Sequence, residues 1–336
     1  MCTSISFTQP PLYGRTLDLE ESFGQQVAIT PREYPFTFHH WPPLPRHHAM
    51  VGMASVARGV PLYAEAMNEH GLYMAGLNFP HSAHYFPDQK AQRSAVAPYE
   101  LIPLVLGTCT TLAQARQLLE QVRLTAIPFA PDCPLAPLHW HVADPSGALT
   151  AEPRENGLRL FENPVGVLTN EPPFPYHLIN LNNYQALSPQ PPENRFAPAL
   201  ELRCYGQGMG ALGLPGDASP MSRFVRAAFH RNCAAFPEET GAQVVEFFRL
   251  LDTVAMPRGS VITPQGKYDQ TLYACCADAR SLTYYYKTHD SGRICAVPMD
   301  EPRRTGSALL TFPLVHQPDF LFPEPRQEWP PVGQIG

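Results

Sequence analysis

The cysteine at position 2 carries more potential chemistry than any other residue in this chain. If Met1 is removed, Cys2 becomes the first residue, with a free α-amino group beside its own thiol. The ordinary pKa of that amine is about 7.7–8.0 and that of the thiol about 8.5. One residue then holds both a nucleophile and a general base, which is the logic of the N-terminal threonine nucleophiles. A tight turn around Pro10-Pro11 places Cys2 across from Asp18 or Leu19, with Arg15 a short step along the same ribbon. One register puts Asp18 on the face of Cys2, and a bulge puts Arg15 there instead. Asp18 would hold the α-ammonium, and Arg15 would favour thiolate over thiol.

Other candidates are weaker. Gly208 to Gly213 fits G-x-G-x-x-G, but it follows an irregular stretch and runs into Leu214-Pro215-Gly216. A dinucleotide site needs a strand before that motif and a helix after it, so none is expected. The pairs His39-His40 and His47-His48 lie in a loop with no carboxylate or thiol at ligand spacing. No metal is expected there, and nothing requires a cofactor. The eight cysteines include no C-x-x-C pair, and most read as small buried apolar residues.

The elements that must position Cys2 read as strands, helices, strands, helices, strands. Strands are expected at 3–8, 12–19, 25–30 and 71–79, with a Pro- and His-rich loop at 31–48. A short helix is expected over 99–106 and a longer one over 111–122, with Thr110 or Thr111 as N-cap. A hairpin follows, from Leu138 to Asp144 and from Leu149 onward around Pro145-Ser146-Gly147. Residues 171–218 carry little regular signal, and a loop of that length is usually functional or an interaction arm. Ser219-Pro220 stands in N-cap and N1 order for a helix to about Cys233. The next helix, 241–254, shows Val244, Val245, Phe248, Leu251 and Val254 at helical spacing. Strands at 271–276, 282–287 and 293–297 close the chain. This order fits a layered α+β fold with antiparallel sheets, and no linker divides it, so one domain is expected over 1–336.

Composition excludes several classes of function. Prolines number 39 among 336 residues, more than twice the usual share of about 5%, and they rule out long helices. A net charge of −6 provides no basic field, so nucleic acid is not an expected partner. No apolar run approaches the roughly 20 residues of a membrane helix. The N-terminus has neither a basic nor an apolar signal region, so a cytoplasmic location is expected.

The motifs around Cys2 then take on a pattern. Met1-Cys2-Thr3 with Gly14 to Glu20, Met67 to Leu72, Ala75 to Pro80, Gly166 to Asn170, Gly213 to Asp217 with Ser222-Arg223-Phe224, and Val254 to Ser260 stand in order along the chain. Together they resemble the choloylglycine hydrolase family of conjugated bile salt hydrolases and penicillin V acylases. The resemblance implies an αββα four-layer sandwich of the N-terminal-nucleophile hydrolase type, with two antiparallel sheets. It implies that Cys2 attacks an amide carbonyl and that its α-amine shuttles the proton. Asn170 and Asn78 would form the oxyanion hole, where each amide donor contributes roughly 3–4 kcal/mol. Arg223, Arg15 and Asp18 match the family's charged residues. By the same resemblance Leu17, Ala57, Phe129, Cys133 and Leu138 would line an apolar substrate pocket, with the loop 128–137 as one wall. The long 171–218 segment would pack between subunits of a homotetramer. The expected reaction is hydrolysis of glycine- or taurine-conjugated bile acids. The alternatives are penicillin V or N-acyl-homoserine-lactone cleavage on the same fold, or an inactive bile-acid-binding relative.

Overall fold

The structure, a computed structural model, describes residues 1–88 and 94–324. Its strands are numbered in chain order. A six-stranded sheet holds β1 (Cys2–Ser6), β2 (Leu12–Leu19), β12 (Val167–Leu168), β13 (Gln270–Asp278), β14 (Thr283–Thr288) and β15 (Cys295–Pro298), in the order β12-β1-β2-β13-β14-β15. An eight-stranded sheet holds β3 (Gln25–Thr30), β4 (Met50–Ala57), β5 (Val60–Asn68), β6 (Tyr73–Asn78), β9 (Leu138–Asp144), β10 (Gly147–Arg154), β11 (Gly157–Glu162) and β16 (Leu310–Phe312). Its order is β11-β10-β9-β6-β5-β4-β3-β16. Every ladder in both sheets is antiparallel. A small parallel pair joins β7 (Ala95–Val96) to β8 (Arg123–Leu124).

Helices α1 (Leu101–Thr108) and α2 (Leu112–Leu119) pack on the eight-stranded sheet. Helices α4 (Pro220–Cys233) and α5 (Thr240–Asp252) pack on the six-stranded one. Short helices α3 (Phe174–Asn180) and α6 (Glu301–Arg304) complete the set. The result is a four-layer αββα sandwich. Central strands are covered on both faces and read as continuous apolar runs, as in Thr271 to Ala277 of β13.

Local chemistry explains the helix starts. The Ser219 hydroxyl accepts from the backbone N–H of Ser222, and Pro220 takes the first turn of α4. Thr111 caps α2 in the same way. On α5, Val244, Phe247, Phe248 and Leu251 are buried. Val245, expected on that face, is exposed, because the buried stripe runs through Phe247 instead.

The hairpin β4–β5 was not among the expected elements. Arg58 and Gly59 turn it with φ of 51° and 79°, a two-residue turn in left-handed backbone. The stretch expected to be irregular over 171–218 holds α3 and two short 3-10 turns, and is otherwise without regular structure. It exposes Phe196, Leu200, Leu202, Tyr205 and Leu212.

Candidate active site

Cys2 opens β1, next to the centre of the six-stranded sheet. It pairs with Leu17, and Ser4 pairs with Arg15. This corrects the expected register, which set Cys2 against Asp18 or Leu19. The backbone N–H of Phe7 donates to Leu12 O at 2.9 Å, so the turn spans Thr8 to Pro11 and pivots one residue earlier than Pro10-Pro11 suggests. Strand alternation then puts Arg15 on the Cys2 face with no bulge between β1 and β2. Asp18 lies on the opposite face, where it accepts from the hydroxyls of Thr271 at 2.6 Å and Thr16 at 3.3 Å.

Three further residues meet Cys2 from distant parts of the chain. The Cys2 backbone N–H donates to Asn170 Oδ1 at 2.9 Å, just past the end of β12. The Asn170 amide nitrogen donates to the carbonyl of Asn78, the last residue of β6, at 2.7 Å. Arg223, in the first turn of α4, donates to Asn170 Oδ1 at 2.8 Å, to Cys2 O at 2.6 Å and to Thr3 Oγ1 at 2.6 Å. A guanidinium early in a helix is poorly served by the helix dipole, and here its position is set by these acceptors. Thus Asn170 is gripped on its oxygen by Cys2 and Arg223 and on its nitrogen by Asn78. An amide nitrogen carries two hydrogens, so the second remains for another acceptor.

The charges are deeply buried. Arg15 donates to Gly76 O, and its Nη1 lies 3.5 Å from Glu65 Oε2. Burial works against the Arg15 charge, but Cys2, Tyr273 and Glu65 outweigh it and raise its pKa. Glu65 accepts from Tyr284 OH at 2.6 Å, Tyr273 OH at 2.8 Å and Cys275 Sγ at 3.6 Å. Burial raises the Glu65 pKa, and Arg15 with the two tyrosine hydroxyls opposes that rise. Burial likewise raises Asp18, against the pull of Arg223, the N-terminal ammonium and Thr271. Arg223 is lowered by burial, with Asp18 and Cys2 acting to hold its charge. The Met1 ammonium lies 3.3 Å from Asp269 and donates to the Asp18 carbonyl.

Cys2 and Arg15 line a largely apolar cleft of about 290 Å³ that takes its walls from strands of both sheets and from the 98–102 and 128–136 segments. Leu17, Phe129, Cys133 and Leu138 line it, and Pro128 with the segment 133–136 forms a wall. Ala57 does not line it: this residue closes the β4–β5 turn opposite Val60. Leu62, Tyr63 and Ala64, the following strand of that hairpin, supply the wall instead, together with Tyr99 and Ile102.

With this geometry in place, comparison with known proteins places the chain. Residues 2–311 match the model for linear amide C–N hydrolases of the choloylglycine hydrolase family. The chain belongs to that family. It is 42% identical over 316 residues to a bile salt hydrolase/transferase of Lactiplantibacillus plantarum, covering 94% of this chain and 97% of that protein. A conjugated bile acid hydrolase of Clostridium perfringens, solved as a cysteine-to-alanine mutant, superposes with a TM-score of 0.86 at 32% identity, covering 96% of this chain and 99% of that one. Penicillin V acylase from Agrobacterium tumefaciens shares the fold, with a TM-score of 0.73 at 18% identity over 93% and 91% of the two chains. Membership makes this chain an amide hydrolase on the N-terminal-nucleophile fold. Among the described residues, no helix is long and apolar enough to cross a membrane.

Two features were missed in the sequence, one at this site and one away from it. Glu65 is a lone carboxylate within an apolar run, the signal that could have marked it as paired. The His47-His48 loop also gains a carboxylate from elsewhere: Glu69 and His70 bring ligand atoms within 4.8 Å of His48. Glu69 is already held by Arg32 through two nitrogens and by the Ala49 N–H, so its lone pairs are committed. The segment 208–213 forms a 3-10 turn in a loop, away from any strand-to-helix junction.

Proposed function

We propose that this enzyme hydrolyses the amide bond of glycine- or taurine-conjugated bile acids, with Cys2 as nucleophile after removal of Met1. The observation that carries this reading is a cysteine lining an apolar cleft, with its main-chain nitrogen on Asn170 and a buried guanidinium on either face of its strand. A steroid body suits the apolar walls, and a few polar groups suit its amide. The names of the relatives point to the same substrate class.

In the proposed reaction the free Cys2 amine takes the thiol proton, and Sγ attacks the amide carbonyl. Amide donors of Asn170 and Asn78 stabilise the developing oxyanion. The amine then passes the proton to the leaving glycine or taurine nitrogen, leaving a thioester on Cys2. Water, activated by the same amine, hydrolyses the thioester and restores the enzyme. Asp18 and Arg223 maintain the charge environment on the amine side of Cys2, and Arg15 does so on the cleft side.

The same proposal includes a single domain, a homotetramer and a cytoplasmic location. Strands β13 to β15 complete the sheet begun by β1 and β2, which supports one domain. Exposed apolar residues from Phe196 to Leu212 support subunit contacts. The eight cysteines are all free, which suits a reducing compartment.

Intact mass shows whether Met1 is gone. The same sample is given glycocholate, taurocholate and penicillin V, and amine release is followed. Processing with fast release from the bile salts is the expected result. Release from penicillin V alone moves the enzyme to the acylase branch, and a processed, folded protein inert to all three overturns the substrate assignment.

A further inference from the structure

Each of the residues Asn78, Asn170 and Arg223 has a chain neighbour that engages a buried histidine. His139, in β9, stacks on Phe79, the neighbour of Asn78, with centroids 4.2 Å apart and planes 8° apart. Its Nε2 donates to the carbonyl of Thr169, the neighbour of Asn170, at 3.0 Å. His177, in α3, stacks on Phe224, the neighbour of Arg223, at 4.6 Å and 19°. Its Nε2 donates to the carbonyl of Asn170 itself at 3.1 Å. Both imidazoles are completely buried. A carbonyl only accepts, so these contacts assign the proton to Nε2 in each ring.

Glu152 stands between the two histidines. Its carboxylate accepts the backbone N–H of Phe174, the first residue of α3, at 2.7 Å, and approaches His139 Nδ1 to 3.5 Å without a hydrogen bond. Burial pushes the His177 pKa down to about 4, so this ring stays neutral at working pH. Its Nδ1 finds no partner, and a ring kept buried with an unused nitrogen places the weight on Nε2.

We propose that His139 and His177 are positioning residues that hold the Thr169-Asn170 main chain, and with it the Asn170 amide, in place beside Cys2. They touch neither the cleft nor Cys2 and act through the backbone carbonyls of residues 169 and 170. The proposal rests on the reading of Asn78 and Asn170 as oxyanion donors. Such donors must be preorganised, because a shift of about 1 Å costs on the order of 100-fold in rate.

Glutamine and asparagine substitutions separate positioning from packing. In His177→Gln and His139→Gln an amide nitrogen reaches the place of Nε2, whereas in His177→Asn and His139→Asn it falls a bond short. All four lose the ring stack, and the asparagine variants should lose more thermal stability because they also leave a buried carbonyl unpaired. With glycocholate, the asparagine variants are expected to lose about 10- to 100-fold in kcat with KM within about two-fold, while the glutamine variants keep kcat within about three-fold. Alkylation of Cys2 by iodoacetamide stays at the parental rate in all four. Equal kcat in the two substitutions at each position, or KM rising in step with the loss, overturns the proposal. Should neither asparagine variant fold, His177→Gln decides: kcat within about three-fold of the parent supports the donor role, and a loss of about ten-fold overturns it. Asn170→Ala tests the underlying reading. If it retains parental turnover, the oxyanion assignment fails and the brace with it. If it is inactive while the asparagine variants match the parent, only the brace fails.

Discussion

Glu65→Gln is the substitution whose consequence follows most directly from the geometry. Arg15 and Glu65 approach to 3.5 Å with side-chain exposures of 1% and 0%. At that distance, with an effective dielectric near 20, their attraction is about 5 kcal/mol. Breaking a buried pair by removing one partner costs about 3–5 kcal/mol, which agrees. Glutamine keeps an acceptor for the hydroxyls of Tyr273 and Tyr284, so the loss falls on the charge. Unfolding entropy of about 2.1 cal/mol/K per residue gives this chain about 0.7 kcal/mol/K, so Tm should drop by about 4–7 °C.

The partners are not equivalent. Burial already pushes the Glu65 pKa up, so the carboxyl can take a proton when Arg15 is lost. A guanidinium has no such escape. Arg15→Met should therefore cost less stability than Glu65→Gln, and the double variant Arg15→Met with Glu65→Gln, which keeps an acceptor for Tyr273 and Tyr284, should be less unstable than the sum of the two while staying inactive. Calorimetry on the three proteins checks this. A Tm for Glu65→Gln within about 1 °C of the parent, or a double variant as unstable as the sum of the two single changes, refutes the reasoning.

Cys2→Ala should abolish turnover with the fold intact, and Cys2→Ser should keep the β1–β2 geometry but lose most of the rate, because a hydroxyl has almost no ionised fraction near pH 7; steady-state assays beside circular dichroism check both. Leu138→Ala should raise KM for a steroid-bearing amide by about ten-fold through lost apolar contact, whereas Ala57→Val should leave it within about two-fold, since Ala57 is outside the cleft. Burial holds the His141 pKa down to about 3 and that of His177 to about 4, against about 6.5 in the unfolded chain. The unfolded state then binds more protons below pH 6.5, so this stability is complete above that pH and falls progressively toward pH 4. Urea unfolding at a series of pH values should show that slope, and His141→Gln should reduce it by about one proton, or about 1.4 kcal/mol per pH unit; parallel slopes would count against it.

The parts of this fold that were legible are those with local causes. Ser219-Pro220 announces α4 because a cap and a proline act within one turn, and Cys2 stands out because its chemistry depends only on its place at the end of the chain. The β4–β5 hairpin was not legible, because a strand covered on both faces loses the alternation that marks a half-exposed one. That omission hid Glu65, while Ala57, set in the cleft by the family resemblance alone, gives way there to Leu62 to Ala64. The register of β1 on β2 turned on one hydrogen bond, from Phe7 to Leu12, and a shift of one residue exchanges Arg15 for Asp18 on the Cys2 face. Least legible were His139 and His177, whose partners Phe79 and Phe224 lie far away in sequence and form no pattern with them. The nucleophile is thus local while its support is assembled from β5, β6, β9, α3 and α4. For that reason the support, and not Cys2, is where changes elsewhere in the chain should tune the rate.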